Sequence, residues 1–140
     1  MHIRSETSSD IPRIREVQYA AFKDHPQHAP GAAPTEHLIV DALREDGALA
    51  VSLVAEEDGR VVGHIALSPA LVGDEAGWYL LGPVGVLPGY QGRGMGSSLI
   101  REALERLRVD GARGVVLVGD PGFYARFGFA HPEGLRWPGV

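Results

Sequence analysis

Cysteine is absent from the 140-residue chain. Disulfide frameworks, thiol catalysis, iron–sulfur clusters and cysteine-based zinc sites are excluded with it. Basic charge is scarce: 13 Lys and Arg stand against 18 Asp and Glu, a formal net charge of −5. That balance argues against a nucleic-acid partner, which needs a basic surface. Lysine occurs only at Lys23, and every other basic residue is an arginine, a bias read as the mark of a GC-rich bacterial genome rather than of function. Long apolar runs are also missing. The longest uncharged stretch, residues 76–92, holds five glycines and two prolines, so it is no lipid-facing helix and no membrane partner is expected. The first six residues contain no apolar segment that resembles a secretory signal, so a reducing cytoplasm is the expected location. What remains, 44% apolar and 22% charged residues, is the ordinary mix of a soluble globular domain. The length fits one domain over residues 1–140, able to bury roughly two-thirds of its unfolded surface.

Residues 3–7 read as a short opening strand. Ser8 or Ser9 then offers an N-cap, with Pro12 in the first turn of a helix carrying Ile11, Ile14, Val17, Ala21 and Phe22. Residues 23–34, with three prolines, read as an exposed loop. Thr35 caps a second helix whose apolar stripe is Leu38, Ile39, Ala42 and Leu43. Strand-like runs follow at residues 48–55 and 61–72, joined by the hairpin dipeptide Asp58-Gly59. Residues 78–87 are apolar on both faces, as in a central strand. A helix carrying Met95, Leu99, Ile100, Ala103, Leu104 and Leu107 comes next and stops at Asp110-Gly111. A β-branched run at residues 115–118 and a short helix at 123–127 complete the order. The hairpin makes the early strands antiparallel, and the strand–helix–strand unit from residue 78 to 118 is a right-handed crossover between parallel strands. The class is α/β with a mixed sheet flanked by helices.

The chemistry concentrates in Val86-Leu87-Pro88-Gly89-Tyr90-Gln91-Gly92-Arg93-Gly94-Met95-Gly96, between a buried strand and an amphipathic helix. Gly92, Gly94 and Gly96 clear side chains where the backbone must approach a ligand. First-turn amides have no intrahelical acceptor, and the helix dipole adds partial positive charge, so a phosphate or diphosphate suits the site. Arg93 offers a charge-assisted contact. A dinucleotide fingerprint fails, because the third glycine position falls on Ser97 or Leu99. A P-loop fails because Met95 and Gly96 replace its lysine and hydroxyl. A third pattern, Gln/Arg-x-x-Gly-x-Gly/Ala after a strand ending in Val-x-Pro, is met at every specified position from Gln91 to Gly96.

That pattern is similar to the acetyl-CoA signature of the GNAT family of N-acetyltransferases, and the likeness continues. Leu81-Gly82-Pro83-Val84-Gly85-Val86-Leu87-Pro88 resembles the family's fourth strand. Tyr124-Ala125-Arg126-Phe127-Gly128-Phe129 resembles its later Tyr-x-x-x-Gly-Phe motif, in the version of the small bacterial YhbS-like branch. The resemblance implies the acyl-CoA N-acyltransferase fold and transfer of acetyl from acetyl-CoA, as co-substrate, directly to a primary amine of a small molecule or protein. It implies that two parallel strands splay around the pantetheine arm, with backbone at Val84, Gly85 and Val86 pairing to it. The amides of Gln91, Gly92, Arg93, Gly94, Met95, Gly96 and Ser97 would hold the diphosphate, and no metal is needed. Tyr124 aligns with the family's acid, its phenol pKa of about 10 lying near that of a thiol; packing alone is the other reading of this residue.

The base has several readings. Residues 78–87 contain no acid, so His64 on the preceding strand and Glu75 just before the run are the candidates, beside a water chain that Tyr79 would contact. Asp120 either anchors a substrate amine or caps the short helix; the cap is preferred. His25, His28 and His37 lack carboxylates at fixed helical spacing and do not make a zinc site, while Phe22, His25 and His28 fall where the family's acceptor pocket is bordered. After the Gly-Phe motif, residues 130–140 are a poor strand sequence. The family's last strand is therefore expected to be missing, leaving an edge along which a homodimer would form. The missing carboxylate and the short tail motivate an alternative: a non-catalytic acyl-CoA-binding module with an incomplete acceptor site.

Overall fold

The computed structural model describes residues 1–23, 33–117, 121–130 and 134–137. Its strands are β1 (His2–Ser5), β2 (Val51–Glu57), β3 (Arg60–Val72), β4 (Glu75–Val86), β5 (Gly114–Val116) and β6 (Leu135–Arg136). The helices are α1 (Ile11–Phe22), α2 (Glu36–Glu45), α3 (Met95–Val109) and the short α4 (Pro121–Tyr124). The strands form one sheet in sequence order. Every neighbouring pair is antiparallel except β4–β5, which is parallel across the α3 crossover. This is the mixed α/β sheet that the residue pattern implies.

Side-chain alternation along the central strands divides the core in two. Leu53, Ala55, Ile65 and Leu67 pack with Met95, Leu99, Ile100, Ala103 and Leu107 of α3. Val54 and Ala66 pack with Ile14 and Val17 of α1 and Val40 of α2. The apolar face expected for α3 is buried residue for residue. The start of α1 is pinned by charge: Arg4 grips Asp10 through two nitrogens at 2.7 and 3.0 Å, and Asp10 accepts the Thr7 amide at 2.7 Å. The residue ahead of the helix is thus Asp10, with Ser8–Asp10 in a 3₁₀ turn, rather than Ser8 or Ser9 as a cap.

Two expectations need correction. The stripe proposed for α2 points outward: Leu38 and Ile39 are 49% and 47% exposed, and Val40 is the buried residue. Val40 packs into the core under α1, and on the same face Arg44 reaches Glu6 at 2.8 Å. The last strand is also present. Leu135 and Arg136 pair antiparallel with Val115 and Gly114. A two-residue strand needs only a local pairing, which Gly114 permits because a Cβ there would collide with the Leu135 carbonyl oxygen. This strand pairs β5 at Gly114 and Val115, so the edge expected to be bare, and to carry a homodimer, has a partner there. Among the described residues, no helix is long and apolar enough to cross a membrane.

Candidate active site

β4 has two different neighbours along its length. It pairs with β3 as far as Val86, but with β5 only at residues 78–80. From residue 81 onward its second edge has no strand partner among the described residues. The Leu87 amide donates back to the Val62 carbonyl at 2.9 Å. Strand alternation then turns the N–H and C=O groups of Val86 and Val84 to the free edge, while Gly85 faces His64 on β3. A cleft of about 720 Å³ opens there. Val84 and Val86 line it with the start of α3, with Ala20, Ala21 and Phe22 of α1, with Lys23 just after that helix, and with Phe123, Tyr124 and Arg126.

The turn into α3 is shaped by two left-handed glycines, Gly92 at φ 78° and Gly94 at φ 79°; a side chain is disfavoured at both. Gly94 is the N-cap, and the Ser98 amide makes the first helical bond to its carbonyl at 3.0 Å. The amides of Met95, Gly96 and Ser97 therefore have no acceptor within the helix. The first turn contains no acidic side chain, so the positive end of the dipole is left for an anion from outside. The Gln91 side chain donates to the Val86 carbonyl at 2.9 Å, tying the loop to the strand end. Lys23 and Arg126 add two cations to the lining. Sequence reasoning missed both, although Arg126 lies inside the Tyr-Ala-Arg-Phe motif two residues after Tyr124.

Tyr124 lies in an aromatic group with Phe123, Phe127 and Phe129, ring centroids 5.0, 6.3 and 6.0 Å away. Its hydroxyl has no hydrogen-bond partner among the described residues. Burial pushes its pKa above the usual phenol value, so the proton stays on the oxygen.

Of the residues predicted from sequence, Val84, Val86, Gln91, Gly92, Gly94, Met95, Gly96, Ser97 and Tyr124 all line this cleft. Arg93 turns aside, its guanidinium 5.3 Å from the Tyr90 ring centre. Gly85 works from beneath: a Cβ there would lie 2.6 Å from the Gln18 side-chain oxygen, so the glycine lets α1 approach β4. Neither candidate base is brought to the cleft. Glu75 begins β4, roughly 30 Å along the strand from Val84 at 3.3 Å per residue. It accepts hydrogen bonds from Trp78 at 2.7 Å and Arg136 at 2.8 Å, and these, the Trp78 bond first, hold its carboxyl below the ordinary range. His64 is fully buried under α1, bonded to Gln18 and Ser52. Each belongs to a local scaffold: His64 is registered opposite Gly85, and strand alternation turns its side chain to the α1 face, away from the face of Val84. His37 packs edge-on against Tyr19 at 5.3 Å, and no group of three or more potential metal ligands occurs among the described residues. His25, His28 and Asp120 lie outside the described residues.

Burial, reinforced by the Arg44 charge, lowers the His64 pKa from 6.5 to about 3. The folded protein thus excludes a proton that the unfolded chain takes up below pH 6.5. The stabilisation is complete above that pH and is lost as pH falls toward 3, at up to about 1.4 kcal/mol per pH unit. Arg44 and, through Ser52, Glu6 are the charged groups facing this histidine. Urea unfolding followed from neutral pH to about pH 4 is expected to show this slope, and His64→Gln to flatten it.

The profile of the acetyltransferase (GNAT) family matches residues 11–129. The N-acetyltransferase YhbS of Escherichia coli K12 is 37% identical over 146 aligned residues, covering 100% of this chain and 82% of that protein. A GNAT family acetyltransferase from Brucella melitensis, solved in complex with acetyl-CoA, superposes with a TM-score of 0.85 at 52% identity, over 98% of this chain and 90% of its own. Escherichia coli YhbS solved with CoA superposes at 0.83 with 36% identity, over 99% and 76% of the two chains.

Proposed function

The chain belongs to the GNAT acetyltransferase family, and from that premise we propose that the cleft between β4 and β5 takes acetyl-CoA and that Val84, Val86, residues 91–97 and Tyr124 are its working groups. The protein is an acetyl-CoA-dependent N-acetyltransferase. The parting of β4 from β5 at the start of α3 carries the site assignment, because it offers in one place what the co-substrate needs. The edge at Val84 and the Val86 N–H, with the Val86 carbonyl already held by Gln91, suits the amides of a pantetheine arm. The unmet amides of Met95, Gly96 and Ser97 suit its phosphates, and Lys23 and Arg126 add positive charge to the same cleft.

Acetyl-CoA supplies an activated acyl group. The acceptor nitrogen bonds to the acetyl carbon as the carbon–sulfur bond breaks, and the amine's surplus proton passes to water. Tyr124 holds its hydroxyl proton for the departing sulfur; its raised pKa suits hydrogen-bond donation better than complete transfer. With His64 buried and Glu75 at the far end of β4, an acceptor amine that is neutral on arrival, or deprotonated through water, fits the described lining. The acceptor is a primary amine on a small molecule or a protein. The relatives above are bacterial, and a bacterial cytoplasm, where acetyl-CoA is made, is the proposed setting.

The test is release of free thiol from acetyl-CoA across a panel of amines. Amine-dependent release is expected. Binding of CoA without release by any amine would favour an acyl-CoA-binding module instead.

A further inference from the structure

A buried polar chain runs beneath the cleft and takes no part in the chemistry above. Gln18 of α1 and His64 of β3 are both 0% exposed. The Gln18 Nε2 donates to His64 Nδ1 at 2.8 Å and lies 3.4 Å from the His64 carbonyl oxygen and 3.3 Å from that of Pro83. Three acceptors around one nitrogen fix the amide's orientation. His64 therefore carries its proton on Nε2, which donates to Ser52 Oγ at 2.8 Å. Ser52 donates onward to Glu6, which Arg44 of α2 holds at 2.8 Å. The chain joins α1, β3 and β2 and ends on the Glu6 carboxylate, where donors from Ser52 and from Arg44 of α2 converge; a side branch from Gln18 reaches Pro83 of β4.

Its inner end lies directly against the strand assigned to pantetheine. The Gln18 Oε1 is buried without a partner and sits where a Gly85 side chain would be. Burying an unmet acceptor is costly, and an apolar side chain of the same length would avoid it. Packing of α1 on β4 does not by itself call for glutamine. What glutamine adds is a donor to the Pro83 carbonyl, one residue before Val84, held at an angle set from Arg44.

We propose that Gln18 is a positioning residue for the acetyl-CoA edge of β4: anchored through His64, Ser52 and Glu6, it fixes where the Val84 backbone groups and the Val86 N–H point. This rests on the reading that those groups bind the pantetheine arm. A misplacement well under 1 Å at such an edge weakens binding without unfolding the domain.

Calorimetry with CoA decides it, run at a temperature where circular dichroism shows each variant folded. Gln18→Met is expected to raise the Kd about tenfold. Ser52→Ala, outside the cleft, is expected to raise it about threefold, and Ser52→Thr, which keeps the hydroxyl, to restore it. If Gln18→Met does not fold, the Ser52 pair decides. Wild-type Kd in the folded variants, whatever their Tm, would overturn the proposal and make the chain a scaffold only; so would a Ser52→Thr as weak as Ser52→Ala. Wild-type protein that gave no heat with CoA would instead overturn the reading beneath it.

Discussion

Replacing Tyr124 with phenylalanine is expected to lower turnover by about a hundredfold or more, while CoA still binds with little change. Positioned proton donors contribute on the order of 10²–10⁴ in rate, and a hundredfold corresponds to about 2.7 kcal/mol of barrier. The substitution removes one oxygen from a residue whose packing is with the rings of Phe123, Phe127 and Phe129, so the fold has little to lose. Because burial raises the phenol pKa above its ordinary value, the hydroxyl keeps its proton at neutral pH, and any alkaline loss of activity assignable to Tyr124 is expected at higher pH than for an ordinary phenol. Steady-state kinetics with a confirmed amine, together with a CoA binding isotherm, check both parts. Unchanged turnover would reduce Tyr124 to a member of the aromatic cluster.

Gly96→Asp is expected to move stability and binding in opposite directions. Gly96 is the second residue of α3, and a Cβ there would meet only a Val86 methyl at 3.9 Å, so the new side chain has room beside the cleft. A carboxylate in a first turn that lacks one complements the dipole by about 0.3–1 kcal/mol, and replacing a helical glycine adds a few tenths. The Tm is expected to rise by about 2–4 °C. The same carboxylate claims the free amides and repels the diphosphate, and like-charge juxtaposition costs several kcal/mol. CoA affinity is expected to fall at least about a hundredfold by calorimetry. A variant that bound CoA normally would show that the helix start does not hold the phosphates.

The opposing signs reflect what could and could not be read from the residue string. Local chemistry was legible. The glycine-rich turn leads into a helix start, Asp58-Gly59 turns a hairpin, and the α3 stripe buries as its spacing predicts, because each depends on neighbours within a few positions. The free edge of β4 was legible only through resemblance, since it depends on where β5 stops pairing. The errors were long-range. α2 faces the core with Val40, which packs on residues of α1, β2 and β3 distant in sequence, and on the same face Arg44 reaches Glu6, 38 residues away, while Leu38 and Ile39 stay exposed. The pairing of Leu135 and Arg136 with β5 is two residues long, too short for any periodic signal. His64 looked like a candidate base because histidine is a titratable residue beside the right strand. Its partners Gln18 and Ser52 lie 46 and 12 positions away, and they make it part of the support under β4.

A crystal structure with acetyl-CoA bound is the most direct measurement. The expected result is a diphosphate within hydrogen-bond distance of the Met95, Gly96 and Ser97 amides, a pantetheine arm paired to the backbone of Val84 and Val86, and the thioester sulfur beside the Tyr124 hydroxyl. A thioester seated elsewhere, or a β4 edge that closes onto β5 past residue 80 and leaves no groove, would contradict it.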